Sequence, residues 1–236
     1  YREHLVENVL EPLNNRKEVR QRLASCRVYV GTVASLSSKT ELFKLKRFDV
    51  AIVDEATQIL EPQLLWILAA KSSDGQNSVG KFILIGDHKQ LPAVVLQSQE
   101  ESEVHDEGLR NIGLLNLKDA LFERLYRFHL AEGDSPALDM LCRQGRMHPS
   151  VASFPNQAFY GGKLKPVGLS HQLEEISSPA LFIPSRRDTG SLSGKTNVYE
   201  AQMVADWAER IWKESPEAFD AHRTLGIITP YRSQIA

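Results

Sequence analysis

Two short apolar runs, each ending in polar residues, constrain the fold of this chain most strongly. The first, Asp49 to Val53, is followed by DEATQ, and the second, Phe82 to Ile85, is followed by GDHKQLP. Continuous apolar runs of this length are typical of strands buried on both faces of a parallel sheet. The sequence therefore predicts an α/β fold in which these two strands lie side by side.

The segment between the two runs predicts how they are connected. Residues 61–70, EPQLLWILAA, place Pro62 near the first turn of a helix and put Leu64, Leu65 and Leu68 at helical spacing. We expect these leucines to face the sheet. Strand, helix and strand in this order predict a right-handed crossover between parallel strands.

Other segments extend the α/β pattern along the chain. The acidic, glycine-punctuated stretch from Gln97 to Asn116 is interpreted as a solvated loop. Apolar periodicity predicts further buried strands at Arg27–Val33 and Leu225–Thr229, two short helices within residues 4–25, and amphipathic helices at residues 117–128 and 200–212.

Length and composition set broad limits on what the protein can be. With 236 residues, 42% of them hydrophobic, the chain fits one large or two small domains, and the prolines and glycines after Cys142 predict a second unit there. Two cysteines give neither a disulfide framework nor a metal-ligand spacing. Because no membrane-spanning run or signal peptide is visible, we expect an intracellular protein of the cytoplasm or nucleus, without a membrane partner. A net charge of −2 excludes a strongly basic coat protein but allows a local basic groove.

Asp54 and Glu55 directly follow the first predicted strand. In parallel sheets the ligand crevice lies at the carboxyl ends of the strands. In phosphoryl transfer, a carboxylate such as Asp54 holds Mg²⁺, and its neighbour Glu55 can orient and deprotonate the attacking water. The alternative is a solvated Asp-Glu loop, and these two residues alone leave both interpretations open.

The second predicted strand leads through Gly86 to Gln90. A glutamine amide can donate to a terminal phosphate oxygen and accept from water, which suits a γ-phosphate sensor. Gly86 could instead be a turn glycine and Gln90 a surface residue. Because two neighbouring strands end in the same way, a shared site is favoured.

Four motifs, taken together, resemble the motif series of superfamily 1 helicases. They are DEATQ, GDHKQLP, RQGRMHPSVASFPNQAFYGGKL and IITPYRSQIA, in that order. The series is similar to the branch that contains the nonsense-mediated-decay RNA helicase, senataxin-like helicases and the eukaryotic replication helicase-nuclease. It covers most of the chain from Val28 onward.

The resemblance implies parts of two RecA-like domains of the P-loop NTPase type, with ATP and Mg²⁺ in the cleft between them. The first would comprise residues 1–142 and the second residues 143–236. Parallel sheets flanked by helices are expected in both.

The same resemblance assigns roles to four residues. Asp54 organises Mg²⁺, Glu55 is the catalytic base and Gln90 senses the γ-phosphate. Arg146 contributes from the second domain a guanidinium that stays charged and bidentate while phosphate charge redistributes. Apart from its motif, Arg146 would be interpreted as a member of an ordinary ion pair. In the same motif, His148 is expected to be structural.

Contacts to nucleic acid are also implied. VGTVASL makes Thr32 a contact to the nucleic-acid backbone, with Ser35 beside it, and such contacts fix position without reading sequence. The alternative is that Thr32 caps the end of a strand. TPYRSQ places Tyr231, Arg232 and Gln234 where base stacking or phosphate contact is expected, and Arg232 could bind either the nucleotide or the strand.

One departure from the family pattern concerns the base of the nucleotide. Gly145 stands where the family has a tyrosine that stacks on that base. This leaves open what, if anything, replaces the tyrosine.

A second departure concerns the phosphate loop. No G-x-x-x-x-G-K-S/T motif occurs, and residues 190–196, GSLSGKT, have the first glycine one position too close and follow no buried strand. We interpret them as an unrelated loop before a helix that Asn197, Glu200 and Ala201 open. As the chain begins without methionine, we expect it to be a piece whose phosphate loop precedes Tyr1 and which alone hydrolyses ATP poorly.

The leading hypothesis is an ATP-dependent helicase or translocase on single-stranded DNA or RNA. The resemblance implies 5′-to-3′ movement and the remaining helicase domains of the parent chain as partners. One alternative is a catalytically inactive helicase fold that clamps nucleic acid. Another is an enzyme unrelated to nucleic acid, in which Asp54 and Glu55 bind metal for a different phosphoryl transfer.

Overall fold

The computed structural model describes residues 16–133, 135–167, 178–191, 194–214, 216–217, 219–220 and 222–235. The chain divides into two compact units, Tyr1–Leu141 and Cys142–Ala236. The elements described in the first unit are α1 (Arg16–Ser25), α2 (Val33–Ser37), α3 (Glu41–Leu45), β1 (Phe48–Val53), α4 (Glu61–Leu68), β2 (Val79–Leu84), α5 (Glu107–Asn111) and α6 (Leu121–Ala131). Those of the second unit are β3 (Arg143–Gln144), α7 (Pro149–Tyr160), β4 (Lys165–Pro166) and α8 (Val198–Glu214).

Strands β1 and β2 form the parallel pair that the two apolar runs predict. Their register joins Phe48 to Val79 at one end and Val53 to Leu84 at the other. The prediction of adjacent parallel strands is therefore confirmed. The prediction that both faces are buried is wrong, because Val50, Ile52 and Ile83 are 44%, 64% and 43% exposed. Both strands also finish at the same edge of the sheet, because the register carries no offset between their last residues.

Helix α4 begins with Pro62 in its first turn, as predicted, since a proline there loses no helical hydrogen bond. Leu64 is 1% exposed, and Leu68 packs against the same core. The prediction for Leu65 is wrong, because this side chain is 51% exposed. With 3.6 residues per turn, Leu65 lies about 100° around the helix from Leu64 and points away from the strands.

The core of the first unit lies where β1, α4 and α6 meet. Its buried members are Val53, Ala56, Leu64 and Leu121. Helix α6 starts at Leu121, four residues later than the predicted segment, because Ala120 pairs with Leu60 in an isolated bridge before the helix begins. The residues that follow β1 are thus packed between two helices.

The prediction of a solvated loop from Gln97 to Asn116 is wrong in part. The segment includes helix α5 and buries Ser102, Val104, Leu114 and Asn116. Buried polar side chains satisfy the loop's own backbone, since the Asn116 amide donates to Gln99 O at 3.1 Å and the Ser102 hydroxyl donates to Ser98 O at 2.8 Å.

The predicted strands at Arg27–Val33 and Leu225–Thr229 are not found. Val30 is 94% exposed, Ile228 is 96% exposed, and Val33 opens helix α2. An apolar run becomes a strand only where a neighbour meets its backbone N–H and C=O groups. Within the described ranges neither segment has that neighbour.

In the second unit, β3 and β4 form a two-stranded parallel sheet, with Arg143 opposite Lys165. Helix α7 begins at Pro149, and the His148 ring accepts a hydrogen bond from the Ser150 N–H at 3.2 Å. The structural role expected for His148 is confirmed. Helix α8 confirms the amphipathic helix predicted at residues 200–212.

Of the two helices predicted within residues 4–25, the second corresponds to α1, and the first lies outside the described residues. Among the helices that are described, none has the length and apolar character needed to cross a bilayer.

Candidate functional site

The turns that follow β1 and β2 are hydrogen-bonded to each other. The Ile85 N–H donates to Val53 O and the Ala56 N–H donates to Ile85 O, each at 2.8 Å. Asp54 and Glu55 lie between these two contacts. The structure therefore brings the carboxylates after β1 next to the turn that begins at Gly86.

Gly86 allows the two turns to approach this closely. A Cβ atom added at Gly86 would lie 2.9 Å from Thr57 Cγ2, 3.0 Å from Thr57 N and 3.4 Å from Ala56 N. Any larger residue would push the second turn away from the first, because the nearest backbone atoms belong to buried residues. Gly86 is therefore needed for packing and is more than an ordinary turn glycine.

Glu55 has a backbone conformation that is unusual for its type. Its φ of 52° lies in the left-handed region, and among the described residues no other non-glycine residue has a positive φ. The Glu55 N–H donates to Asp54 Oδ1 at 3.0 Å, and the Gln58 side-chain amide donates to Glu55 Oε2 at 3.3 Å. Both carboxylates are exposed. Strained conformations of this kind concentrate at functional sites, where the surrounding structure maintains them.

Gln90 is held by the turn to which it belongs. Its side-chain Nε2 donates to Asp87 Oδ2 at 2.8 Å, its backbone N–H donates to Asp87 O at 3.1 Å, and the Lys89 N–H donates to Asp87 Oδ1 at 3.0 Å. The turn is anchored on α6 by the His88 ring, which stacks on Tyr126 with centroids 4.2 Å apart. Gln90 therefore projects from a fixed turn and is exposed to solvent.

The donor set at this edge suits a hard divalent cation. A nucleotide-bound Mg²⁺ takes one or two protein carboxylates and completes its shell with phosphate oxygens and water. Asp54 offers such a carboxylate at the exposed strand end. Across the described part of the chain there is no cluster of three or more His, Cys, Asp or Glu side chains of the kind that holds a metal unaided.

Arg146 lies on the turn between β3 and α7, in the second unit. The Gln144 side chain fixes this turn: its Oε1 accepts from the Arg146 and Met147 N–H groups at 3.2 and 2.9 Å, and its Nε2 donates to Met147 O at 2.8 Å. Arg146 is exposed and forms no ion pair within the portion that the structure describes. At Gly145, an added Cβ would meet only Val167 Cγ2, at 4.0 Å.

Thr32 and Ser35 lie together at the start of α2. The Thr32 hydroxyl accepts from the Ser35 N–H at 3.1 Å and so caps a helix rather than a strand. Lys39 Nζ lies 3.5 Å from Ser35 Oγ. Both hydroxyl residues are exposed, so capping leaves them accessible.

A short 3₁₀ turn spans Arg232–Gln234, and Tyr231 directly precedes it. Both ends of the Gln234 amide are hydrogen-bonded to Asn197. Its Oε1 accepts from the Asn197 N–H at 2.7 Å, and its Nε2 donates to Asn197 O at 2.9 Å. Asn197 in turn caps α8, since its Oδ1 accepts from the Tyr199 N–H at 3.0 Å. Gln234 thus fastens the turn that carries Tyr231 and Arg232 to the start of α8.

Comparison with known families gives two matches, both to models described as an AAA domain. One covers residues 5–98, and the other covers residues 117–236, which is more than half of the chain. The chain belongs to the AAA domain family. Its regions around the two strand ends and around Arg146 fall in separate matches.

Relatives of this AAA domain chain are named as helicases. It is 29% identical over 250 residues to an uncharacterized ATP-dependent helicase of Methanocaldococcus jannaschii, covering 94% of this chain and 32% of that protein. It is 32% identical over 255 residues to the DNA polymerase alpha-associated DNA helicase A of Saccharomyces cerevisiae, covering 93% and 34%. Helicase SEN1 of the same yeast is 28% identical over 200 residues, covering 80% and 8%.

The helicase names of these relatives agree with the family that the motif series resembles. The chain spans about a third of the first and second relatives named here and less than a tenth of the third. The α/β architecture with small parallel sheets agrees with P-loop NTPase domains of this family.

Two residues of this strand-end site had no role predicted from the sequence. Asp87 orients Gln90, and Gln58 contacts Glu55. A signal for Asp87 was present, because an aspartate whose side chain accepts the N–H two residues later forms a common local turn. Gln58 follows Glu55 by three residues, a spacing at which side chains of a helical turn meet.

Proposed function

We propose that the protein containing this chain is an ATP-dependent helicase or translocase acting on single-stranded DNA or RNA. The observation that carries the proposal is the shared edge at which Asp54, Glu55 and the Gln90 turn lie next to each other. An exposed carboxylate pair beside a fixed amide is the arrangement that nucleotide hydrolysis needs. The helicase names of the relatives support the same function.

Within this proposal, each residue of the first unit has a distinct task. Asp54 binds the metal, and Mg²⁺, when bound, offsets the charge of the phosphates. Glu55 orients the attacking water and accepts its proton, while Gln90 donates to the γ-phosphate and accepts from water. The left-handed backbone of Glu55 sets the direction of its carboxylate relative to that of Asp54.

In the second unit, Arg146 is proposed to contact the γ-phosphate, and Arg232 the nucleotide or the strand. The Gln144 side chain fixes the backbone of the turn that carries Arg146. The Gln234 side chain joins the turn that carries Arg232 to Asn197. A guanidinium held at its base can reach a phosphate while losing less conformational entropy on binding.

Contacts to the nucleic acid are proposed at Thr32 and Ser35 in the first unit and at Tyr231 in the second. Gln234, whose amide is engaged with Asn197, is assigned to positioning Tyr231 instead of to direct contact. The charge around Thr32 supports a polyanionic ligand, since residues 16–47 hold nine Lys or Arg and only two acidic residues in a chain of net charge −2. Movement is proposed to run 5′ to 3′ in an intracellular compartment.

The deciding experiment is hydrolysis of ATP by the full-length protein with and without single strands. We expect strands to stimulate the wild type, and Glu55→Gln to lower the stimulated rate by at least about 100-fold while ATP binding persists, because the amide keeps the shape but cannot take a proton. Undiminished turnover in Glu55→Gln would remove Glu55 as the base.

The wild-type protein alone distinguishes the remaining possibilities. Strand binding without any ATP hydrolysis would indicate a clamp of helicase fold, and hydrolysis indifferent to strands would indicate another phosphoryl-transfer enzyme. Unwinding of partial duplexes with a 5′ overhang but not with a 3′ overhang would support the proposed direction.

A further inference from the structure

The side chain of Asp87 connects the turn after β2 to the amide of Gln90. One carboxylate oxygen accepts from Gln90 Nε2 at 2.8 Å, and the other accepts from the Lys89 N–H at 3.0 Å. The carboxylate is therefore itself held by the backbone. A hydrogen bond to an ionised carboxylate is about twice as strong as one between neutral groups.

Which way the Gln90 amide faces matters for its chemistry. The two ends of a glutamine amide are nearly equal in shape but opposite in function, since Nε2 only donates and Oε1 only accepts. A carboxylate accepts only, so Asp87 permits Nε2 and rejects Oε1 on its side. One N–H of Nε2 then remains for a phosphate oxygen, and Oε1 remains for water.

The turn that carries Asp87 is also fixed relative to Glu55. Gly86 packs directly on Thr57 and Ala56, which follow Glu55, and His88 stacks on Tyr126 of α6. Asp87 therefore orients the Gln90 amide relative to the carboxylate of Glu55.

We propose that Asp87 is a positioning residue that selects the catalytically competent orientation of the Gln90 amide. This inference rests on the proposed function, because it takes Gln90 to act on the γ-phosphate and the attacking water. This role explains why an aspartate, Asp87, lies three residues before Gln90.

The test is Asp87→Asn in the full-length protein. Asparagine keeps Oδ1 for the Lys89 N–H, and hence the turn, but presents an NH₂ group towards Gln90, which then turns its Oε1 inward. We expect kcat of strand-stimulated ATP hydrolysis to fall about 10- to 100-fold with little change in the dissociation constant for ATP. A purely structural role would instead lower the urea midpoint of unfolding.

Asp74→Asn is the matched control. Asp74 also accepts the N–H of the residue two positions later, Gln76, at 3.0 Å, but its turn precedes β2 at the opposite end of the strand. The two variants therefore make the same chemical change in the same kind of turn. Only Asp87→Asn should lower kcat.

A double-mutant cycle with Gln90→Ala decides whether Asp87 acts through Gln90. We expect Asp87→Asn to cause no further loss of kcat in the Gln90→Ala background. An equal loss in both backgrounds, or an unchanged kcat in Asp87→Asn, would overturn the inference and leave the proposed function standing. Gln90→Ala with full activity would overturn the inference and the proposed role of Gln90, and wild-type protein without strand-stimulated hydrolysis would overturn both the inference and the proposed function.

Discussion

The conformations of single residues set the geometry of the strand-end site. Glu55 occupies the left-handed region of φ and ψ, and a neighbouring backbone passes where a Cβ of residue 86 would lie. Left-handed backbone costs an L-amino acid roughly 1–2 kcal/mol, so the packing around Ala56 and Thr57 must maintain it. The same packing holds Asp54 and Gln90 in neighbouring turns.

Replacement of Gly86 tests this close approach. Gly86→Ala would place a methyl group 2.9 to 3.0 Å from Thr57 atoms, so we expect the free energy of unfolding to fall by about 1–3 kcal/mol, the usual cost of overpacking. Urea denaturation would measure it. Gly226→Ala is the control, because no atom lies within 4 Å of its added Cβ, and a loss of stability equal in both variants would contradict the prediction.

Loss of the Arg146 guanidinium should affect hydrolysis more than strand binding. Arg146→Ala in the full-length protein should lower strand-stimulated ATP hydrolysis by about 10³-fold, the contribution of an arginine that stabilises the transition state. Strand affinity, measured by fluorescence anisotropy, should change little. The reverse pattern, weakened strand binding with normal hydrolysis, would assign Arg146 to the nucleic acid.

Between elements, one buried ion pair fixes α6 on α4. Arg124 Nε donates to Glu61 Oε2 at 2.8 Å, a second guanidinium nitrogen donates to Glu61 Oε1, and Arg124 also donates to Ile112 O at 3.0 Å. Both side chains are largely buried. Because α6 carries Tyr126, which stacks on His88, this pair also supports the turn of Gln90.

Removal of one partner should therefore be costly. Glu61→Ala would leave the Arg124 guanidinium buried without its carboxylate, and we expect a loss of about 3–5 kcal/mol in the free energy of unfolding. Asp119→Ala is the control, because Asp119 pairs with Arg127, one turn further along α6, and the Arg127 side chain is 50% exposed. That variant should cost less than about 1 kcal/mol. Equal losses in urea denaturation would show that burial does not decide the effect.

Across the whole chain, charge is distributed unevenly. The basic residues of the segment 16–47 are Arg16, Lys17, Arg20, Arg22, Arg27, Lys39, Lys44, Lys46 and Arg47, and its acids are Glu18 and Glu41. The remaining chain is therefore acidic overall. The net charge near zero therefore does not exclude binding to nucleic acid by this basic segment, since electrostatic attraction to nucleic acid depends on local charge.

Charge reversal in this segment should weaken strand binding and its salt dependence together. Lys17→Glu with Arg20→Glu should lower the slope of log affinity against log salt by about 0.7 for each phosphate that the protein no longer neutralises. Arg210→Glu with Lys213→Glu, which changes the net charge equally on α8, is the control and should leave the slope nearly unchanged. Equal effects of the two pairs in salt titrations would indicate that only overall charge matters.

The sequence alone determined the elements that local chemistry specifies. Apolar runs followed by DEATQ and GDHKQLP predicted β1, β2 and their parallel pairing, and Pro62 marked a helix start. The relatives named as helicases agree with the family that the motif series resembles. The positions of these strands and of the helix start depend on hydrophobic periodicity and on backbone restrictions that act within a few residues.

For other segments, the neighbours became known only from the tertiary structure. Arg27–Val33 has strand character but no described partner strand, so Thr32 caps a helix there. Gln234 was expected to contact nucleic acid, but its amide is hydrogen-bonded to Asn197, 37 residues away. Gln90 is oriented by Asp87, on a turn that packs against Thr57. The reason is physical: strands and side-chain hydrogen bonds require a second group at about 3 Å, and chain packing determines whether one is present.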